Sequence, residues 1–293
     1  GGLSVLAALL DPGMPPADVP FPRAAPTRAR LAREAWTTRV QGVRQAAGLW
    51  RSLGQSMFAG GGFHPTRATP CSLVQQTGPR RSMAVVRLDR ALLRAAAHSH
   101  GATTNDGVLV AVGAALHKYL LARGESVEPI AVAVPVSGRR RGGPARGNLV
   151  APMLVEVSTS GGVPERIAQV EAAVRAHKKA ATGPPPIAIL GGMFRLLARL
   201  GVYRFYMNHQ HRLHTLVSHV RGPAEPMTLG GHQVSAAIPV AVGEGGNTTV
   251  YFEVLSYAGV LTIAVIVDPD HGPDLGGLTH LLQNELDSII ASA

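Results

Sequence analysis

Cysteine is almost missing: Cys71 is the only one in 293 residues. No intrachain disulfide can staple the chain, and such usage fits a reducing compartment. Cys71 follows Thr69-Pro70 in a loop-like stretch with no motif that would activate it, so it reads as an unpaired thiol. Aromatic residues make up only 4%, which leaves few stacking platforms for single-stranded nucleic acid. No apolar run approaches the roughly 18 residues needed to cross a bilayer; the longest are broken by Gly, Pro or charge. The sequence also lacks GxxxxGK[ST], GxSxG, HExxH and paired CxxC. The usual signatures of P-loop nucleotide hydrolases, elbow-type serine hydrolases and zinc sites are therefore absent.

What is present is a large apolar fraction, 46% of residues, with a mean hydropathy of +0.14. That is enough for a substantial core, and the length corresponds to about two domains. Twenty-eight Lys and Arg against 18 Asp and Glu give a formal charge of +10 and a pI near 10.7. Such a balance attracts polyanions: nucleic acid, anionic lipid headgroups or a phosphorylated cofactor. The basic residues are dispersed over 23–51, Arg80-Arg81, Arg139-Arg140-Arg141 with Arg146, and Lys178-Lys179. They form no single stripe and have no interleaved aromatics, so no nucleic acid is expected as a partner. Any membrane association is expected to be peripheral to a cytoplasmic protein.

The chain opens on Gly1-Gly2 and an apolar helix-like run over residues 3–10 with no cap ahead of it. No Lys or Arg precedes this run, and Asp11-Pro12-Gly13 is not a small-residue cleavage site, so it does not read as a secretory signal. The expectation is a fragment whose upstream segment is missing. A Pro-rich connector over 11–26 leads to a basic helix over 27–56, ended by Gly60-Gly61-Gly62. The Thr-, Pro- and Gln-rich stretch that follows suits an inter-domain linker.

Downstream, the pattern predicts strands over 82–88, 130–136, 149–157, 214–220, 233–239, 248–257 and 260–267, with a hairpin at Ala258-Gly259. Helices are predicted over 89–98, 108–121, 164–181, 187–207 and 273–290. The second of these is apolar on nearly every side and must be buried all round. Thr103 or Thr104 can cap it, Asp106 suits its positive end, and Gly124 stops it. This mixed order points to an α/β sandwich.

Local chemistry leaves several readings open. His209, His211 and His214 are spaced so that they do not share one helical face, and no carboxylate lies close by, so no metal site is assigned. Arg139-Arg140-Arg141 follows a strand end and reads either as a solvated loop or as a phosphate-binding run. Asn105-Asp106 at a helix start reads equally well as a cap.

Taken in order, Thr104-Asn105-Asp106-Gly107-Val108-Leu109, Val134-Pro135-Val136-Ser137-Gly138-Arg139, Gly147-Asn148-Leu149-Val150, Leu216-Val217-Ser218-His219-Val220-Arg221-Gly222-Pro223 and Leu255-Ser256-Tyr257-Ala258-Gly259 resemble one family. It is the bacterial wax ester synthase/acyl-CoA:diacylglycerol acyltransferases. The resemblance implies a two-domain fold like chloramphenicol acetyltransferase and other CoA-dependent acyltransferases, with the active site in a tunnel between the halves. Residues 1–62 would then be a remnant of the N-terminal domain, 63–80 the linker and 81–293 the C-terminal domain.

The implied activity moves a long acyl chain from CoA to the hydroxyl of a diacylglycerol or fatty alcohol. Acyl-CoA is the co-substrate, no cofactor is bound, and the surface of a membrane or lipid droplet is a place of work. The family's HHxxxDG signature, whose second His is the general base, does not occur in this sequence. By resemblance, Asn105, Asp106, Ser137, Arg139, Asn148, Ser218, Gly222 and Pro223 line or support the site, and Arg139, Arg140 and Arg141 meet CoA phosphates. His219 stands where the family usually has Asn, Arg221 replaces a Pro, and Gly107 replaces a Val. The alternative implied class is a non-catalytic module that binds lipid or anionic membrane surfaces.

Overall fold

The structure, a computed structural model, describes residues 10, 25–37, 40, 67–137, 150–180, 197–240 and 246–293. Residues 3–9 and 187–196 of two expected helices, and most of the basic helix after residue 37, lie outside these.

Six strands form one mixed sheet in the order β1-β8-β7-β4-β2-β3. They are β1 (Ser82–Asp89), β2 (Ile130–Ser137), β3 (Val150–Val157), β4 (Thr215–Arg221), β7 (Val250–Tyr257) and β8 (Val260–Val267). A two-residue ribbon of β5 (Thr228–Leu229) and β6 (His232–Gln233) stands apart. Helices among the described residues include α1 (Arg90–Ser99), α2 (Thr104–Ala122), α3 (Val163–Ala180), the short α4 (Tyr203–Asn208) and α5 (Leu275–Ala291), and residues 28–37 and 197–199 are helical too. The expected mixed α/β architecture is present. The strand expected over 233–239 forms only as β6. Its alternating pattern supplies strand propensity, but past Val234, whose N–H still donates to Met227 O at 2.8 Å, residues 235–240 join no ladder among the described residues.

The core lies between the sheet and helices α1, α2, α3 and α5. Helix α2 is its centre: every residue from Asp106 to Leu116 is buried. Each fully buried Leu or Val there contributes about 1.5–3 kcal/mol relative to exposure. Thr103 and Asp106 close its start in a reciprocal capping box, as a Thr three residues ahead of an acid should. On its outer side Glu285 of α5, 2% exposed, pairs with Lys118 of α2 and with Arg166 of α3 at 3.2 Å. One buried carboxylate thus ties three helices.

Residues 67–81 pack along this domain. Leu73 is buried in the core, its carbonyl accepts from Thr249 N–H at 3.1 Å, and Val74 bridges to Thr248. Farther on, the buried Asp268 carboxylate accepts the N–H groups of Gly78 (2.5 Å), Asp270 (2.8 Å) and His271 (3.3 Å). Burial pushes its pKa up, but these donors and nearby Arg81 outweigh that and hold it below its ordinary value.

Helix α2 approaches β3 most closely at Gly113, where a Cβ would stand 2.4 Å from Val157 Cγ1. Gly113→Ala therefore lowers unfolding free energy in urea by about 1–3 kcal/mol through overpacking, exceeding the helix-propensity gain of about 1 kcal/mol. Adding Val157→Ala relieves the clash, so the double variant loses less than the sum of the two single losses.

Candidate functional site

Side chains alternate across a strand, so β4 and β7 present two different surfaces. Val217, Phe252 and Val254 point into the core under the helices. Leu216, packed on Tyr251, Ala264 and Ile266, belongs to a second apolar cluster on the opposite surface. Ser218 of β4 and Glu253 of β7 are register partners on that opposite surface, in a parallel ladder. Both are half-buried. Burial raises the Glu253 pKa, and the Ser218 hydroxyl donating to the carboxylate only partly counters it.

The far end of β4 is locked to the β7–β8 hairpin. Gly222 N–H donates to Ser256 O at 2.8 Å, and Ala258 N–H donates to Pro223 O at 3.1 Å. A Cβ on residue 222 would fall 2.5 Å from Ser256 O, so only glycine permits this approach. The hairpin turns through positive φ at Ala258 (46°) and Gly259 (82°), the geometry of a two-residue turn matched to strand twist. Arg90 N–H, at the start of α1, binds Gly259 O at 3.0 Å. The Tyr257 hydroxyl accepts from Met227 N–H and donates to Val234 O, both at 2.8 Å, which pins the segment that leaves β4 across the end of β7.

His219 lies beside this junction on the helix-facing surface. Its Nε2 is buried and has no hydrogen-bond partner among the described residues. Burial first, then the charges of Arg221 and Arg90, depress its pKa to about 4. A group titrating there is a weak proton acceptor at neutral pH, so His219 is unsuited to stand in for a general base.

Ser218 lies in the middle of β4, and Gly222 and Pro223 follow just past its end. Asp106 is buried, and its Oδ2 accepts from Thr103 N–H at 2.8 Å and Thr103 Oγ1 at 2.7 Å, a capping role. Its Oδ1 is buried without a partner among the described residues. Asn105 is half-buried in the same first turn, which packs on α1 through Gly107, Leu93 and Ala97. Ser137 closes β2 opposite Val150 of β3. Arg139, Arg140, Arg141 and Asn148 lie outside the described residues.

Of the three clustered histidines, His214 is fully buried as a tether. Its Nδ1 accepts from Ala131 N–H at 2.9 Å and its Nε2 donates to Thr69 O at 2.8 Å. Burial lowers its pKa, keeping it neutral for those two bonds. His209 Nδ1 bonds Phe205 O at 2.8 Å and its ring stacks on Phe205. Glu253 escaped sequence reasoning, although one signal was available: a lone acid amid the apolar strand residues 250–257.

The His219 environment predicts a titration midpoint about 4 when its imidazole is followed by NMR. Because the unfolded chain binds that proton near pH 6.5, stability falls as pH drops from about 6.5 toward 4. His219→Gln removes this part of the slope, as urea melts at several pH values will show.

Residues 146–290 match the family described as the WS/DGAT C-terminal domain. The chain is 28% identical over 237 residues to a putative diacylglycerol O-acyltransferase of Mycobacterium tuberculosis, covering 77% of this chain and 47% of that protein. It is 27% identical over 209 residues to the probable diacylglycerol O-acyltransferase Tgs4 of the same species, covering 69% and 44%. It thus spans about half the length of the curated relatives it matches. Among solved structures it is similar to the wax ester synthase/diacylglycerol acyltransferase from Marinobacter aquaeolei VT8, with TM-score 0.61, 19% identity, and 85% of this chain and 56% of that one covered. A condensation domain of the enacyloxin polyketide synthase matches with TM-score 0.54, 15% identity and coverages of 99% and 55%. At these identities the structural likeness is one of fold.

Proposed function

We propose that this chain, whose residues 146–290 match the WS/DGAT C-terminal domain, is part of an O-acyltransferase using acyl-CoA and a hydroxyl lipid. The match of residues 146–290 is the observation that carries the reading. In the reaction, a general base takes the proton of the acceptor hydroxyl, the oxygen attacks the thioester carbonyl, and the CoA thiolate leaves and is protonated. The acceptor is a diacylglycerol or a fatty alcohol, and the product a triacylglycerol or wax ester.

No HHxxxDG occurs in the sequence, and His219 titrates too low to replace it. The base therefore comes from a segment outside these residues, and the chain by itself is inactive. Residues 81–293 serve as the C-terminal domain, 63–80 as the connection and 1–62 as part of the N-terminal domain. The surface bearing Ser218, with Gly222 and Pro223 at its end, forms one wall of the tunnel. Asn105 and Asp106 stand toward the active centre, where Asp106 holds the start of α2 in shape. Ser137, Arg139 and Asn148 brace the site, and Arg139, Arg140 and Arg141 meet CoA phosphates.

Palmitoyl-CoA with a diacylglycerol is expected to give no free CoA with this chain alone, and free CoA once an HHxxxDG-bearing upstream segment is supplied. Sustained turnover by the chain alone would overturn the assignment of the base.

A second, compatible reading is attachment to a lipid surface. No helix among the described residues is long and apolar enough to cross a membrane. Leu200 (65% exposed) and Phe205 (66%) directly follow the exposed Arg199 and Arg204 in the chain, a pairing of apolar and cationic groups suited to anionic headgroups. Replacing both Leu200 and Phe205 by Ser should reduce cosedimentation with phosphatidylglycerol vesicles severalfold. Unchanged cosedimentation would remove this reading.

A further inference from the structure

Where residues 67–69 cross the start of β2, the sheet carries a small hollow on the surface opposite the helices. Ala131 and Leu154 make its floor, on the side of β2 and β3 that alternation turns away from the core residues Ile130, Val132, Val155 and Val157. Three bonds fix the rim. His214 accepts from Ala131 N–H at 2.9 Å and donates to Thr69 O at 2.8 Å, and Ala68 N–H donates to His211 O at 2.8 Å. They bring Arg67 and Arg212 to one opening, with Glu156 across from Ala131 in the strand register. None of these three charged side chains, all exposed, has a hydrogen bond or ion pair among the described residues. We propose that this hollow is a headgroup site that takes one phosphodiester of a phospholipid, its oxygens held by Arg67 and Arg212.

The inference rests on the lipid-surface reading above, and size and charge carry it further. The hollow has a volume of about 50 Å³, room for about four waters or one tetrahedral oxyanion. It takes a phosphate group and not a whole coenzyme. Two guanidinium forks match phosphate oxygens in shape and charge. Glu156 beside them leaves the rim one net positive charge, which the single negative charge of a phosphodiester balances. A phosphomonoester carries about −1.5 to −2 near pH 7, and Glu156 repels the surplus.

The place in the fold points to a lipid as the source. Arg212 follows Phe205 of α4 by seven residues, so the chain between them spans at most about 25 Å. A leaflet entered by the exposed Leu200 and Phe205 therefore presents its phosphate layer within reach of the hollow. A bound headgroup fixes which side of the sheet faces the membrane, which scattered surface charge does not.

The test uses the full chain at constant ionic strength. Calorimetric titration compares dihexanoylphosphatidylglycerol, kept below its micelle concentration, with inorganic phosphate. Wild type binds the diester more tightly than phosphate. Arg67→Gln with Arg212→Gln weakens the diester about tenfold or more and cuts cosedimentation with phosphatidylglycerol vesicles severalfold. Arg87→Gln with Arg94→Gln, which removes the same charge from exposed positions elsewhere, leaves diester affinity unchanged. Glu156→Gln tightens phosphate more than it tightens the diester. Phosphate binding as tight as the diester, equal weakening by both arginine pairs, equal gains in Glu156→Gln, or diester affinity unmoved in the Arg67 and Arg212 variant overturns the inference while leaving the Leu200 and Phe205 result intact. Cosedimentation unmoved by replacing Leu200 and Phe205 overturns the lipid-surface reading, and this inference with it.

Discussion

A helix that is apolar on every side is stable only if it is enclosed, and the arrangement of this domain follows from enclosing α2. The sheet takes one flank, α1 and α3 take others, and α5 lies along the outside. Nothing larger than hydrogen fits at Gly113, because Val157 of β3 already occupies the space. The polar outer edge of α2 is closed by Lys118 reaching the buried Glu285, which Arg166 also holds. Only loss of both cations would leave the Glu285 charge uncompensated, a loss of about 3–5 kcal/mol. The helix thus sets the spacing of the sheet, and the sheet sets the registers that place the site.

Helices α1, α2, α3 and α5 pack on one surface of the sheet, and the opposite surface carries the Leu216, Tyr251, Ala264 and Ile266 cluster. The register of β4 against β7 aligns Ser218 with Glu253 on it. The Gly222–Ser256 and Pro223–Ala258 contacts then fix where β4 ends. Backbone bonds do the positioning, and His219 and Arg221 sit within this frame.

Much of the frame was legible in the sequence. Thr103, Asp106 and Gly124 mark the limits of α2, and its uniform apolarity foretells burial; Ala258-Gly259 announces the β7–β8 hairpin. These signals are local, resting on residues a few positions apart. The candidate site is less local. Ser218 and Glu253 are 35 positions apart and meet only through a parallel ladder, whose register no hairpin turn specifies. The depressed pKa of His219 likewise depends on Arg90, which arrives from the opposite edge of the sheet. Residues 235–240 carry a strand pattern but join no ladder among the described residues, since pattern sets propensity and pairing needs a neighbour. Residues 67–81 have a linker's composition, yet Leu73, Ser72 and Gly78 are bound into the domain by Thr249, Glu125 and Asp268. Backbone groups made those bonds, and composition does not report them.

The join between β2 and β4 is short: only Val132–Thr215 and Ala133–Leu216 are paired, although β2 runs on to Ser137 and β4 to Arg221. Every other adjacent pair in the sheet is laddered over six or eight positions. The ladder between the β1, β8, β7 and β4 group and the β2 and β3 pair is thus short, extended only by the bonds between Ala131 and His214. Twist can differ across such a join at the expense of a few bonds instead of a whole ladder. The end of β2 that carries Ser137 can then be set by what lies beside it and not by β4.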